Sequence, residues 1–187
     1  MTIFSRIHQI IQYKIFSKKI KEIGSNAIIS FPIIGYGLEN VSIGNYFKAG
    51  ERLKLRCFKE WRGQKYTPEI KIGNNVNIQT DCHISAINSV IIEDNVLIAS
   101  FVYISDHAHG SNQYFDLNIP PIDRPLFSKG NIYIGKNVWV GEKVTVLPGV
   151  HIGEGSIIGA NSVVTHDIPP YSIAVGIPAK VIKTVKS

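Results

Sequence analysis

A branched aliphatic residue recurs at every sixth position along much of the chain: Ile134, Val140, Val146, Ile152, Ile158 and Val164 fall in strict register. The same spacing governs Ile72, Ile78 and Ile84, then Ile92, Ile98 and Ile104, with two extra residues between those runs, and it begins near Ile43. Two positions before these aliphatics stand smaller or branched residues such as Val76, Cys82, Val96, Val102, Val138, Val144 and Val150, suited to corners or an inner layer. A six-residue period fits neither a 3.6-residue helix nor an uninterrupted two-residue alternation, so the chain must bend once per hexamer. Gly73, Gly135, Gly141, Gly153 and Gly159 follow the aliphatic position directly. There the lack of a Cβ tolerates a tight or positive-φ turn. Three short strands and three turns then make one triangular coil, and coils stacked at the parallel-strand spacing of about 4.8 Å line a dry interior with aliphatic ladders.

These residues read as [LIV]-G-x-x-x-x hexapeptides. The stretch IGKNVWVGEKVTVLPGVHIGEGSIIGANSVVTHDIPPYSIAVGIPAKVI resembles the C-terminal half of bacterial sugar O-acetyltransferases, such as galactoside, maltose, capsule and lipopolysaccharide acetyltransferases. The resemblance covers roughly residues 70 to 183. It implies an all-β solenoid, a left-handed parallel β-helix. It also implies acetyl-CoA as co-substrate without a metal, and a homotrimer whose sites form between adjacent prisms.

The register disappears between Ile104 and Ile134, where the sequence is polar, Pro-rich and aperiodic. Such an excursion (residues 105–131) must leave the prism, and long loops of this kind are usually functional. It carries the closely spaced pair His107 and His109. The resemblance places the catalytic histidine at His109, with His107 as second choice and Asp106 able to orient an imidazole or to cap the loop. A sugar hydroxyl is a poor nucleophile at neutral pH, and an imidazole is a suitable base for it. Gln79, Asp81 and Asn88 lie a coil before the histidine loop, in position to line the acceptor pocket, and the resemblance places Trp139 of NVWVG near the active site with them. Trp139, Gly141, Gly159, Ala160, Thr165 and Lys180, with Gly176 and Pro178, fall at donor positions. His83 and His151, inside regular hexamers, read as outward-facing turn residues without a role.

Residues 3 to 23 carry Ile3, Phe4, Ile7, Ile10, Ile11, Ile15, Phe16, Ile20 and Ile23 on an approximate helical stripe, with Lys14, Lys18, Lys19 and Lys21 elsewhere. An amphipathic helix over residues 1–24 would cap the open end of the solenoid (residues 25–183, followed by a short tail, 184–187), or lie on an anionic membrane surface. Residues 51–69 read as a further interruption of unassigned role. The net charge of +6 favours a polyanionic partner such as CoA. No nucleic-acid-reading motif is present. Cys57 and Cys82 show no CxxC spacing. No apolar run approaches the roughly 20 residues that span a bilayer, and the expected compartment is the cytoplasm. Three rivals stand beside the O-acetyltransferase reading: an amino-sugar N-acetyltransferase, a γ-carbonic-anhydrase-like zinc enzyme using His107, His109 and His83, and a noncatalytic scaffold.

Overall fold

The computed structural model describes residues 3–111 and 113–185. It is a left-handed parallel β-helix whose coils run through three faces in turn. On the first face Ile23, Ile43, Ile72, Ile92, Ile134 and Ile152 stand one above another. The second face stacks Ile29, Ala49, Ile78, Ile98, Val140, Ile158 and Ala174. The third stacks Gly35, Leu55, Ile84, Ile104, Val146 and Val164. All of the hexamer aliphatics from Ile72 to Val164 are buried, most with no exposed surface, together with the corner residues Val76, Cys82, Val96, Val102, Val138, Val144 and Val150. Both cysteines are free and buried, and burial pushes the Cys57 thiol up to about 12 and the Cys82 thiol up to about 11.

The repeat starts earlier than the expected Ile43. Glu22–Ile23 already pairs in parallel with Val41–Ile43, so the helix is shorter than its apolar stripe and spans Ile3–Lys19. The helix and the residue that follows it cap the prism: Phe16 and Ile20 are buried, Phe16 meets Phe31 edge-on at 6.0 Å, and the Gln9 amide bonds the Phe31 backbone. Ile7, Ile10, Ile11 and Ile15 stay about half exposed, while the side chains of Ile3 and Phe4 lie outside the described residues. No described helix is long and apolar enough to cross a membrane. At the other end Lys180–Thr184 folds back antiparallel on Ser172–Val175, and Val185 still bonds Tyr171, so ordered pairing continues into the expected tail. Lys186 and Ser187 of that tail lie outside the described residues.

The glycines do a different job from the one their position suggests. The residues with positive φ sit farther along each corner, at Asn75, Asn95 and Asn137 or Asp81, Phe101 and Lys143. Gly73 and Gly141 are instead required by contact between coils: a Cβ on Gly73 would lie 2.5 Å from Asp94 Oδ1, and one on Gly141 2.6 Å from the Ala160 amide nitrogen.

Residues 51–57 belong to the regular prism, as the strand Lys54–Cys57 shows, so the second interruption is confined to residues 58–68. It forms a small hairpin, Glu60–Trp61 against Gln64–Lys65, at the edge where the third face turns into the first. Truncation of a fully buried rung tests the ladder: Ile98→Ala is expected to cost about 2–5 kcal/mol, read as a lowered urea midpoint.

Candidate active site

The 105–131 excursion leaves from the same edge as the 58–68 hairpin, and it is folded. Ala108–His109 pairs antiparallel with Leu126–Phe127, and a short helix, Tyr114–Leu117, and a single 3-10 turn, Pro121–Asp123, lie between them. The hairpin braces it. Trp61 Nε1 donates to the Arg124 carbonyl at 3.1 Å, the Tyr66 hydroxyl bridges the Leu126 carbonyl and amide at 3.0 and 2.9 Å, and Arg62 pairs with Asp123 at 2.6 Å. That support is the role the sequence left open for residues 51–69.

At the root of the loop sits Asp106, with 0% of its side chain exposed. A buried carboxylate is costly unless it is hydrogen-bonded on every side. Here Oδ1 accepts from the Ile87 amide at 3.0 Å and Oδ2 from the Asn88 amide at 2.8 Å, both in the turn of the preceding coil. Oδ1 also lies 2.8 Å from His107 Nδ1. A carboxylate only accepts, so Nδ1 carries the hydrogen, and in the neutral ring Nε2 keeps its lone pair. The His107 side chain is 9% exposed; its ring meets Phe58 edge-on at 5.8 Å, and its backbone is clasped by Ser105 Oγ.

His109 is placed differently. It is exposed, paired through its backbone with Leu126, and set edge-on to Trp61 at 5.3 Å; among the described residues no carboxylate contacts its ring. Of the two histidines expected at the site, His107 is the one whose ring is held by a carboxylate.

The remaining expected residues divide between two edges of the prism. Asn88 lies beside Asp106, and Thr165 lies on the same edge farther along, its hydroxyl 2.7 Å from His166 Nδ1. Gln79, Asp81, Gly141, Gly159 and Ala160 occupy the edge where the second face turns into the third, and half-exposed Trp139 stands on the second face between Leu97 and Ile157. Asp81 is held by a bidentate pair with Arg52 at 2.7 Å, which keeps its carboxyl below the usual range, and Gln79 Nε2 donates to Asn77. Lys180 is exposed on the terminal antiparallel strand. Within one chain these groups and His107 are not brought together.

His83 was assigned no role by its position in a hexamer, and it proves to be a strand residue rather than a turn residue. It points out of the third face between Lys54 and Tyr103, whose ring it meets edge-on at 5.2 Å. Burial first, then Arg56, Lys54 and His107, lower it to about 4, and its Nε2 is buried without a partner. His151 likewise lies on a strand, facing out beside Tyr133. Among the described residues no three His, Cys, Asp or Glu side chains converge as a metal site would require.

A family model described as bacterial transferase hexapeptide (six repeats) matches residues 131–166. An Escherichia coli K12 protein assigned to lipopolysaccharide biosynthesis as an O-acetyl transferase, WbbJ, is 43% identical over 160 residues, covering 83% of this chain and 78% of its own. The Escherichia coli dTDP-4-amino-4,6-dideoxy-D-glucose acyltransferase is 32% identical over 167 residues, 86% of this chain and 80% of its own. A solved galactoside acetyltransferase in complex with coenzyme A superposes with TM-score 0.59 at 28% identity, covering 94% of this chain and 70% of that one.

Tyr66→Phe should leave the Leu126 backbone groups unpaired at a cost of about 1–3 kcal/mol. Amide exchange at Leu126 is then expected to speed up roughly tenfold or more, while exchange in the ladder strands stays unchanged.

Proposed function

The chain belongs to the bacterial hexapeptide-repeat sugar O-acetyltransferases, and from that premise we propose that His107, oriented by Asp106, is the base that activates the acceptor hydroxyl. Acetyl-CoA is the donor. Nε2 of His107 takes the hydroxyl proton as the sugar oxygen attacks the thioester carbonyl. The tetrahedral intermediate expels the CoA thiolate, which recovers the proton from the imidazolium. No acyl-enzyme is needed. Asp106 stays ionised and stabilises the imidazolium while fixing the ring. The observation that carries this reading is the 2.8 Å contact between a fully buried carboxylate and His107 Nδ1.

The division of site residues between two edges supports assembly as a homotrimer. In a threefold packing of prisms the His107 edge of one copy meets the Gly141, Gly159 and Ala160 edge of the next, where residues without bulky side chains admit an extended pantetheine arm. Half-exposed Trp139 on the adjoining face offers an indole to the sugar or to the thioester arm. The acceptor class we favour is a glycan precursor of capsule or lipopolysaccharide type, in keeping with the 43% identical relative, and a reaction fed by acetyl-CoA fits the cytoplasm. The N-terminal helix acts first as a cap. Its half-exposed isoleucines beside Arg6, Lys14, Lys18 and Lys19 also suit a peripheral contact with an anionic membrane. The amino-sugar acyltransferase relative favours a second reading, transfer to a sugar amine by the same base.

Thiol release from acetyl-CoA with a panel of sugar hydroxyl and amine acceptors separates these readings. His107→Ala is expected to lower kcat by about 10²–10⁴-fold, with a much smaller effect of His109→Ala. Equal losses in both variants, or a loss confined to His109→Ala, would overturn the assignment of the base.

A further inference from the structure

The third face carries a row of cations that the acetyl-transfer chemistry above does not use. Lys54 and Arg56 project outward two residues apart on the strand Lys54–Cys57, and the next rung places His83 beside Lys54 and Ser85 beside Arg56. Both cations are half-buried, and no ion pair or hydrogen bond is recorded for either side chain among the described residues. The carboxylates that flank the row are already engaged: Asp81 and Glu51 by Arg52, Glu39 by Lys59, and Asp106 by two amides and His107. Half-buried cations whose neighbouring carboxylates are already bound to other groups gain charge-assisted hydrogen bonds once an anion arrives. The buried, unpartnered Nε2 of His83 points to the same vacancy of hydrogen-bonding partners, and His83 is close enough to His107 to feel its charge. The row thus ends beside His107.

Resting on the acetyltransferase reading, we propose that Lys54, Arg56 and His83 bind the phosphate groups of an acceptor sugar carried as a diphosphate ester, and so present its hydroxyl to His107. Arg56 offers a planar fork to phosphate oxygens, Lys54 a point charge, and a neutral His83 one N–H. Nucleotide-linked and lipid-linked sugars share this diphosphate chemistry. The CoA phosphates are the competing occupant, and a carboxylate of a second copy is the other.

Calorimetric titration of inorganic pyrophosphate into CoA-saturated protein tests the proposal, with wild type compared to Arg56→Gln and Lys54→Gln. Both substitutions lie on the outer surface, and unchanged melting temperatures check that folding is intact. Pyrophosphate is expected to bind the wild-type complex and to bind Arg56→Gln about tenfold or more weakly, with CoA affinity unaltered. Displacement of pyrophosphate by UDP or by farnesyl diphosphate then identifies the nucleotide or the lipid as the natural carrier. Absence of pyrophosphate binding, binding undiminished in both variants, weakened CoA binding in Arg56→Gln, or an altered oligomeric state in either variant would each overturn the proposal. Wild-type thiol release with neutral sugar acceptors reports separately on the parent reading, so the failure of one is distinguishable from failure of the other.

Discussion

The stacking of one aliphatic on the next, coil after coil, is the constraint from which the remaining structure follows. Ile72 above Ile92, Ile78 above Ile98 and Ile84 above Ile104 line an aliphatic interior, and the polar corner residues Ser156 and Ser162 enter it only with backbone hydrogen-bond partners. Each buried aliphatic side chain contributes on the order of 1.5–3 kcal/mol relative to exposure, so a slip in register would turn a whole ladder outward. Irregular segments must consequently leave at an edge. Both of them, residues 58–68 and 105–131, leave at the edge between third and first faces, where Tyr36, Phe58 and Trp61 pack in sequence and the two histidines sit against the latter pair.

Asp106 ties that outward excursion back to the ladder. Its carboxylate is buried at the point where the strand Tyr103–Ser105 ends and the loop begins, and its amide partners come from the turn one coil earlier. Desolvation makes the carboxylate dependent on those donors. The same dependence fixes its remaining oxygen geometry toward His107. The His107 ring is therefore positioned by the solenoid, which would suit the base proposed above, because a proton must be taken within hydrogen-bond reach.

Much of the fold was legible because six-residue spacing is a local property: the rungs from Ile72 to Val164 and the exit of the loop after Ile104 can be counted off the chain. What was missed depends on contacts between coils. Gly73 and Gly141 follow aliphatics, which suggests a turn, but their need for a bare Cα comes from Asp94 and Ala160 on the next coil. Counting residues also cannot separate His107 from His109, since the difference lies in amides of Ile87 and Asn88 some twenty positions away. The strand alignment of His83 with Lys54 spans 29 residues and a hairpin, so no fixed period reveals it. The early rung at Ile23 was hidden for another reason, because the apolar stripe of the helix runs into it without a break.

Asp106 holding His107 with its hydrogen on Nδ1, so that Nε2 is free to take a proton, is the arrangement on which the proposed chemistry depends. ¹⁵N NMR of the histidine rings at neutral pH reads this directly, with His107 identified by its loss in His107→Ala. The expected spectrum shows the Nδ1–H tautomer for His107, with that proton shifted downfield and its signal lost when Asp106 is replaced by Ala. An Nε2–H tautomer at His107, or a signal indifferent to Asp106→Ala, would contradict it.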